Sequence, residues 1–330
     1  MEQRRLGGSG LSVSRLGLGT MTWGRDTDQH DAREQLKAFA DAGGTLVDTA
    51  AAYGNGESEK LIGALLDSAV SRANLLIATK AGGGRPGGPG RVDVSRRALL
   101  DQLDDSLDRL DLDYVDLWQV AAWSDAAPME ETLGALEHAV TSGRARYAGV
   151  SNYAGWQTAA AAVHQRAVAG TQAPLVSTQV EYSLLERGVE REVLPAAARL
   201  GLGVLAWSPL GRGVLTGKYR SGTPADSRAA TTHFAPFVDK YLDARSAKIV
   251  DAVCTAADGL DALPLEVALT WVRDRPGVAA AIVGARTAGQ LRDVLGSDDL
   301  ELPAEIRAAL DEVSALELGY PEGVAPGSRP

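Results

Sequence analysis

The 330-residue chain is 45% hydrophobic and 23% charged, a globular composition that excludes wholesale disorder. Its formal net charge of −10 argues against a general nucleic-acid binder, whose contact surface is basic. One cysteine, Cys254, excludes an intrachain disulfide, and with four scattered histidines (His30, His138, His164 and His233) it leaves no ligand set for a structural zinc.

Residues 1–5 carry an arginine pair with no apolar run behind it, so no secretory signal is expected. No stretch approaches the roughly 18 apolar residues of a membrane span, and a cytoplasmic protein is the expectation. From there, short β-rich runs alternate with helical patterns. The first run is 14–19, followed by a helical face of Leu36, Phe39 and Ala40 that stops at Gly43-Gly44. Run 45–48 precedes Leu61, Leu65 and Ala69, spaced by four. Run 75–79 precedes Leu99, Leu103, Leu107 and Leu110, with Asp93 and Ser95 as candidate caps. Run 114–118 precedes Leu133, Leu136 and Val140, which lead to Gly143. Runs 146–150, 176–180 and 204–207 follow. Pro264 can open a helix carrying Val267, Trp271 and Val272, and run 278–283 is the eighth.

Strand–helix alternation implies parallel strands with helical crossovers, and eight units predict an α/β (β/α)8 TIM barrel over residues 1–318, with 319–330 a loose tail. The rival is a doubly wound sheet in two domains. No G-x-G-x-x-G follows the first strand, and Gly7-Gly8-Ser9-Gly10 lies before it, where it cannot place a helix N-terminus on a phosphate. The segment 211–218 imitates a P-loop, but its spacing is wrong and Tyr219 stands where a Ser or Thr would hold magnesium. Two stretches interrupt the rhythm: the Gly/Pro-rich residues 82–90 and the long segment 210–240.

A barrel carries its chemistry at the carboxyl ends of its strands. Lysine is scarce, 6 residues against 27 arginines, yet Lys80 directly follows an apolar strand at the expected barrel mouth. That placement is costly for an unpaired charge, and Asp48, ending the neighbouring strand, can pair with it. Tyr53 lies five residues on, and a nearby ammonium should lower its phenol from about 10 toward a usable acid near neutrality. The residues alone equally allow a structural Asp–Lys pair with a rim aromatic.

Seven strand-end motifs occur in order: Gly-Thr-Met-Thr-Trp at 19–23, Asp-Thr-Ala with Tyr-Gly across 48–54, Thr-Lys at 79–80, Asp-Tyr-Val-Asp-Leu-Trp-Gln at 113–119, Gly-Val-Ser-Asn-Tyr at 149–153, Trp-Ser-Pro-Leu-Gly-Arg-Gly at 207–213 and Gly-Ala-Arg-Thr at 284–287. With them the chain resembles the aldo-keto reductase family over essentially its whole length. The resemblance implies reduction of a small aldehyde or ketone by hydride transfer from NADPH bound without a Rossmann domain. It assigns Tyr53 as proton donor, Lys80 as the lysine that tunes it and Asp48 as that lysine's partner. Ser151, Asn152 and Gln179 match the nicotinamide carboxamide contacts, whose amide needs both donors and acceptors. Trp207 matches the ring that stacks on nicotinamide, and Ser208, Leu210, Arg212 and Gly213 match the loop over the pyrophosphate. Arg286 and Thr287 match the 2′-phosphate pair and Gln290 an adenosine contact, favouring NADP(H). Gly19, Thr20 and Gly284, at strand ends, complete the cofactor set. Plainer readings stand beside these: a simple turn at 211–213 and a solvated surface charge at Arg286.

The chain departs from the family at two positions. Val294 replaces an Asn near the adenine in many relatives. Ala121 occupies the position of the His that donates a hydrogen bond to the substrate carbonyl. His138 and His164 fall on helical patterns, and His233 on the long segment, so none is an obvious substitute. Ala121 is either native divergence or an engineered replacement. It opens room for a bulky substrate, with Trp23, Trp118, Trp123 and Tyr182 as candidate walls, although aromatics there are as often plain packing. The alternatives are an NADP(H)-binding sensor or regulatory subunit with little turnover, like the family's potassium-channel β subunits, and a related C=C reduction or dehydration.

Overall fold

A computed structural model of the chain describes residues 1–83, 92–167, 173–224, 227, 230 and 235–320. An antiparallel hairpin, β1 (Gln3–Arg5) and β2 (Ser12–Ser14), precedes eight parallel strands. These are β3 (Leu16–Gly19), β4 (Leu46–Asp48), β5 (Leu76–Ala81), β6 (Val115–Val120), β7 (Ala145–Ser151), β8 (Leu175–Glu181), β9 (Gly203–Trp207) and β10 (Val278–Val283). They close into a barrel in which β10 pairs with both β3 and β9. All eight expected runs are strands of the predicted barrel.

The crossover helices are α1 (Gln29–Asp41), α2 (Glu57–Leu65), α3 (Arg96–Leu110), α4 (Met129–Thr141), α5 (Gly155–Ala167) and α6 (Val193–Arg199). Among the described residues, three α-helices separate β9 from β10: α7 (Ala235–Asp239), α8 (Ala244–Leu260) and α9 (Pro264–Arg273). After β10 come α10 (Ala288–Gly296) and α11 (Ala304–Val313). Local chemistry sets the ends. The Ser95 side chain caps α3 by accepting from the Ala98 N–H, and Pro264 opens α9 at its first position. Helix α1 stops before Gly43, which takes φ of 78°. Helix α2 ends at Leu65, because Leu66 turns extended, so Ala69 lies past the helix its spacing suggested. No helix among the described residues is long and apolar enough to cross a membrane.

Side chains alternate across a strand, so every second residue enters the barrel. The lower lumen is filled by Leu46, Ala78, Leu117, Leu205, Ala280 and Ile282. Leu6, Leu11 and Val13 of the hairpin join this cluster and plug that end. The hairpin was not among the expected elements, and Ser14, expected in the first barrel strand, belongs to β2. Its turn carries the early glycines: Gly7 has φ of 60°, and a Cβ there would lie 2.4 Å from the Gly201 carbonyl oxygen. Continuing the same parity toward the carboxyl ends brings Asp48, Lys80, Gln119, Ala121, Ser151, Gln179 and Trp207 inward. Polar groups therefore collect at that end. Of the expected loops, residues 84–90, His233 and the tail beyond residue 320 lie outside the described residues.

Candidate active site

A cavity of about 590 Å3 opens at the carboxyl ends of the strands and runs toward α10. Its base is an ion pair that β4 and β5 present side by side. Lys80 Nζ lies 2.8 Å from both Asp48 carboxylate oxygens and donates to the Thr49 carbonyl at 2.7 Å. Both side chains are buried. Gln179 Nε2 donates to the same Asp48 at 2.7 Å, so the buried carboxylate is held from two sides.

Tyr53 opens a short turn (Tyr53–Gly56) that leads into α2, and lines the cavity with its ring centroid 5.2 Å from Lys80 Nζ. Burial pushes its phenol above the ordinary value; the Lys80 charge pulls it down, and Asp48 pushes it up again. The net direction is opposite to the lowering expected from Lys80 alone, because Asp48 offsets that charge and removal from water disfavours the phenolate. Lys80 is itself shifted upward: burial opposes its charge, but attraction and hydrogen bonding to Asp48 and Tyr53 together outweigh burial. The first turn of α2 anchors this arrangement. Ser58 Oγ contacts Thr20 Oγ1 at 2.7 Å and Thr49 Oγ1 at 3.0 Å. Glu59, fully buried, accepts from Thr79 Oγ1 at 2.6 Å and from Arg109 Nε at 2.7 Å. The Tyr53 turn is thus tied to the strands that carry Asp48 and Lys80.

On the opposite wall, Ser151 Oγ donates to the Gln179 carbonyl at 2.9 Å. The Asn152 amide engages protein at both ends: Nδ2 donates to the Ala121 carbonyl at 2.9 Å, and Oδ1 accepts from Trp207 Nε1 at 3.0 Å. The expected carboxamide contact at Asn152 would compete with these bonds. Ala121 lines the cavity, its backbone held by Asn152 and by its own N–H to the Ala81 carbonyl.

Farther out, Ser208, Leu210, Arg212 and Gly213 line the cavity along a loop with several residues at positive φ, Ser208 (52°) and Arg212 (61°) among them. A non-glycine residue held there costs roughly 1–2 kcal/mol. Arg286, Gln290, Asp293 and Val294 line the far end, with Gly284 between the two ends. Gln290 Oε1 accepts from the Arg286 N–H at 3.0 Å.

Six expected site residues are not on the wall. Thr20 is fully buried, its hydroxyl on the Asp48 carbonyl at 3.1 Å. Thr287 caps α10 through the Gln290 N–H. Trp118 points out of the barrel, since its neighbours Leu117 and Gln119 point in. Trp23 is buried against α1, with Nε1 on Gln35 at 3.1 Å. Tyr182 is buried against Trp271, its hydroxyl on Glu190 at 2.7 Å. Trp123 packs edge-on against Tyr153 and Trp156, outside the cavity. Trp23, Tyr182 and Trp123 are engaged by residues away from the cavity, and Trp118 faces outward by its parity. The walls instead include Met21, Ala50, Ala52, Gly83, Lys218 and Phe237. Lysine scarcity, which singled out Lys80, would also have flagged Lys218. Among the described residues, no cluster of His, Cys, Asp or Glu could hold a metal.

The aldo/keto reductase family profile matches residues 15–315. A probable voltage-gated potassium channel subunit beta of Oryza sativa subsp. japonica is 34% identical over 327 residues, covering 98% of each chain. The uncharacterized oxidoreductase YrpG of Bacillus subtilis (strain 168) is 36% identical over 324 residues, covering 95% of this chain and 96% of its own. L-glyceraldehyde 3-phosphate reductase of Escherichia coli O157:H7 is 34% identical over 323 residues, covering 94% and 92%.

Proposed function

The chain belongs to the aldo/keto reductase family, and from that premise we propose that it reduces an aldehyde or ketone to an alcohol with NADPH, Tyr53 supplying the proton. The observation that carries this reading is the buried Lys80–Asp48 pair at the cavity base beside Tyr53.

The cavity suits a nicotinamide dinucleotide by its chemistry. Ser151 and Gln179 line it with an indole (Trp207), and two cations line it as well, Lys218 beside Gly213 and Arg286 with Gln290. Bound NADPH would supply the hydride. The chain's own task is the proton. A phenol raised above its ordinary value stays protonated at neutral pH and can donate to an oxygen gaining negative charge. Lys80 stabilises the phenolate left behind, and Asp48 keeps the Lys80 ammonium charged and in place. The wall beside Tyr53 includes Ala50, Ala52, Gly83 and Ala121, so the carbonyl meets small side chains there.

The pH profile follows from the direction of the Tyr53 shift. The donating form exists below the phenol's pKa, which lies above the ordinary value of about 10. Reduction should be flat across the neutral range and fall only as pH rises through that raised value. A loss of kcat/KM between about pH 6 and 8 would oppose Tyr53 as the acid.

NADPH should bind more tightly than NADH, because a 2′-phosphate gains charge-assisted hydrogen bonds from Arg286. Arg286→Ala should erode that preference about 10- to 100-fold, on the order of 1.5–3 kcal/mol, by titration of both cofactors. Equal affinity of the unmutated protein for the two would sink the assignment.

NADPH oxidation across aldehydes, ketones, enals and enones, with product analysis, tests the activity. One observation favours a second reading: Ala121 offers no side-chain donor, and a similar protein is named as a channel subunit. Tight NADPH binding with no turnover across the panel would favour a sensor or regulatory role, and saturated carbonyl products would favour C=C reduction.

A further inference from the structure

We propose that Arg212 and Glu181 form a latch that holds the dinucleotide-phosphate loop in its binding shape, so that Arg212 acts by positioning and not as a phosphate ligand. The proposal rests on the nicotinamide-dinucleotide reading above.

Arg212 stands between Gly211 and Gly213, and all three have positive φ (61°, 54° and 93°). Glycine visits that region freely, whereas a long side chain stays there only when its surroundings hold it. Here they do. The guanidinium turns back into the protein and is buried. It meets Glu181 in a bidentate pair, Nε to Oε1 at 2.8 Å and one terminal nitrogen to Oε2 at 2.7 Å. Its other terminal nitrogen donates to the Phe237 carbonyl, and its face lies 3.6 Å from the Phe237 ring centroid. A planar fork engaged on a carboxylate, a carbonyl and an aromatic face has little left for a phosphate.

Glu181 is engaged from its other side as well. Tyr241 Oη donates to Oε1 at 2.9 Å, and Lys240 Nζ lies 3.4 Å from Oε2. Glu181 ends β8, two residues after Gln179, and Phe237 on α7 forms part of the cavity wall. The latch therefore joins three segments that border the cavity: the end of β8, the 208–213 loop and α7. In this arrangement the phosphates would meet loop backbone and the Lys218 and Arg286 cations, while the Arg212 donors stay on Glu181 and the Phe237 carbonyl.

The test is NADPH affinity and dissociation rate for the unmutated protein, Arg212→Met, Glu181→Gln and the double variant, measured below each one's thermal midpoint. Glu181→Gln keeps the side chain's shape and frees the Arg212 charge. If Arg212 bound phosphate directly, that release would leave affinity unchanged or raise it. The latch predicts the reverse. A loop in its binding shape about one time in twenty weakens apparent affinity about 20-fold in each single variant, with faster dissociation. The double variant should be no worse than either single one, since both changes open the same latch. It also leaves no lone buried charge, so it reports on the latch if a single variant fails to fold. Arg212→Lys, which keeps the charge without the fork, should recover little. Unchanged or tighter binding by Glu181→Gln, or losses that multiply in the double variant, would overturn the latch. An unmutated protein that bound neither NADPH nor NADH would overturn the dinucleotide reading itself.

Discussion

Tyr53→Phe is expected to lower kcat/KM for carbonyl reduction by about 10²- to 10⁴-fold while NADPH affinity stays within about twofold. Only a hydroxyl is lost, and its work lies in the transition state. The ring that faces Lys80 remains, so packing around the buried pair is kept. Lys80→Met should be about as damaging to activity but differ in kind. It removes the charge that favours the Tyr53 phenolate and strands Asp48, a buried carboxylate, with Gln179 as its remaining side-chain donor. Breaking a buried pair in that way costs roughly 3–5 kcal/mol of stability, so the thermal midpoint should fall for the Met variant and hold for the Phe variant. Steady-state kinetics, NADPH titration and thermal melts on both separate the roles. Full activity in the Phe variant would mean that another group is the acid.

Ala121→His is expected to raise kcat/KM for small aldehydes by roughly 10²–10³, the worth of one preorganised donor aimed at a developing oxyanion. The backbone at 121 is pinned on both sides, to Ala81 and to Asn152, so a longer side chain there would project into the same cavity. The neighbouring wall is close: a Cβ on Gly83 would lie 3.4 Å from the Ala121 Cβ. A bulky ketone that uses the space left by Ala121 should therefore lose turnover in the His variant while small aldehydes gain. Opposite changes on the two substrate sizes would identify the space as part of the specificity. No gain on any small carbonyl would show that the absent donor does not limit the rate, and that another group orients the substrate.

Much of the site was legible because barrel chemistry gathers at strand ends, and strand ends are readable as breaks in apolar runs. Lys80 stood out as a rare lysine behind Leu75, Leu76, Ile77 and Ala78, and the structure pairs it with Asp48 as expected. The aromatic walls were not legible in the same way. Trp118 ended the expected run 114–118, but β6 continues to Val120 and parity places Trp118 outside the barrel, a signal present in the Leu117-Trp118-Gln119 alternation. Trp23 and Tyr182 follow strands and then turn into contacts with α1 and α9, which no strand-end rule reports.

The sequence by itself determined the number and order of the barrel strands, the parallel crossovers and the Asp48, Tyr53 and Lys80 cluster at the barrel mouth. Those follow from periodicity and from turn and cap chemistry, which are local interactions written over a few consecutive residues. Tertiary structure alone decided three things. The hairpin closes the lower lumen because Leu6, Leu11 and Val13 find apolar partners contributed by distant strands. The Tyr53 phenol moves upward because burial and Asp48 together outweigh Lys80, a balance set by distances in space. Arg212 commits its guanidinium to protein because Glu181, 31 residues earlier in the chain, offers it a bidentate partner. Electrostatic partners of this kind are chosen by proximity after folding, and separation along the chain carries no record of them.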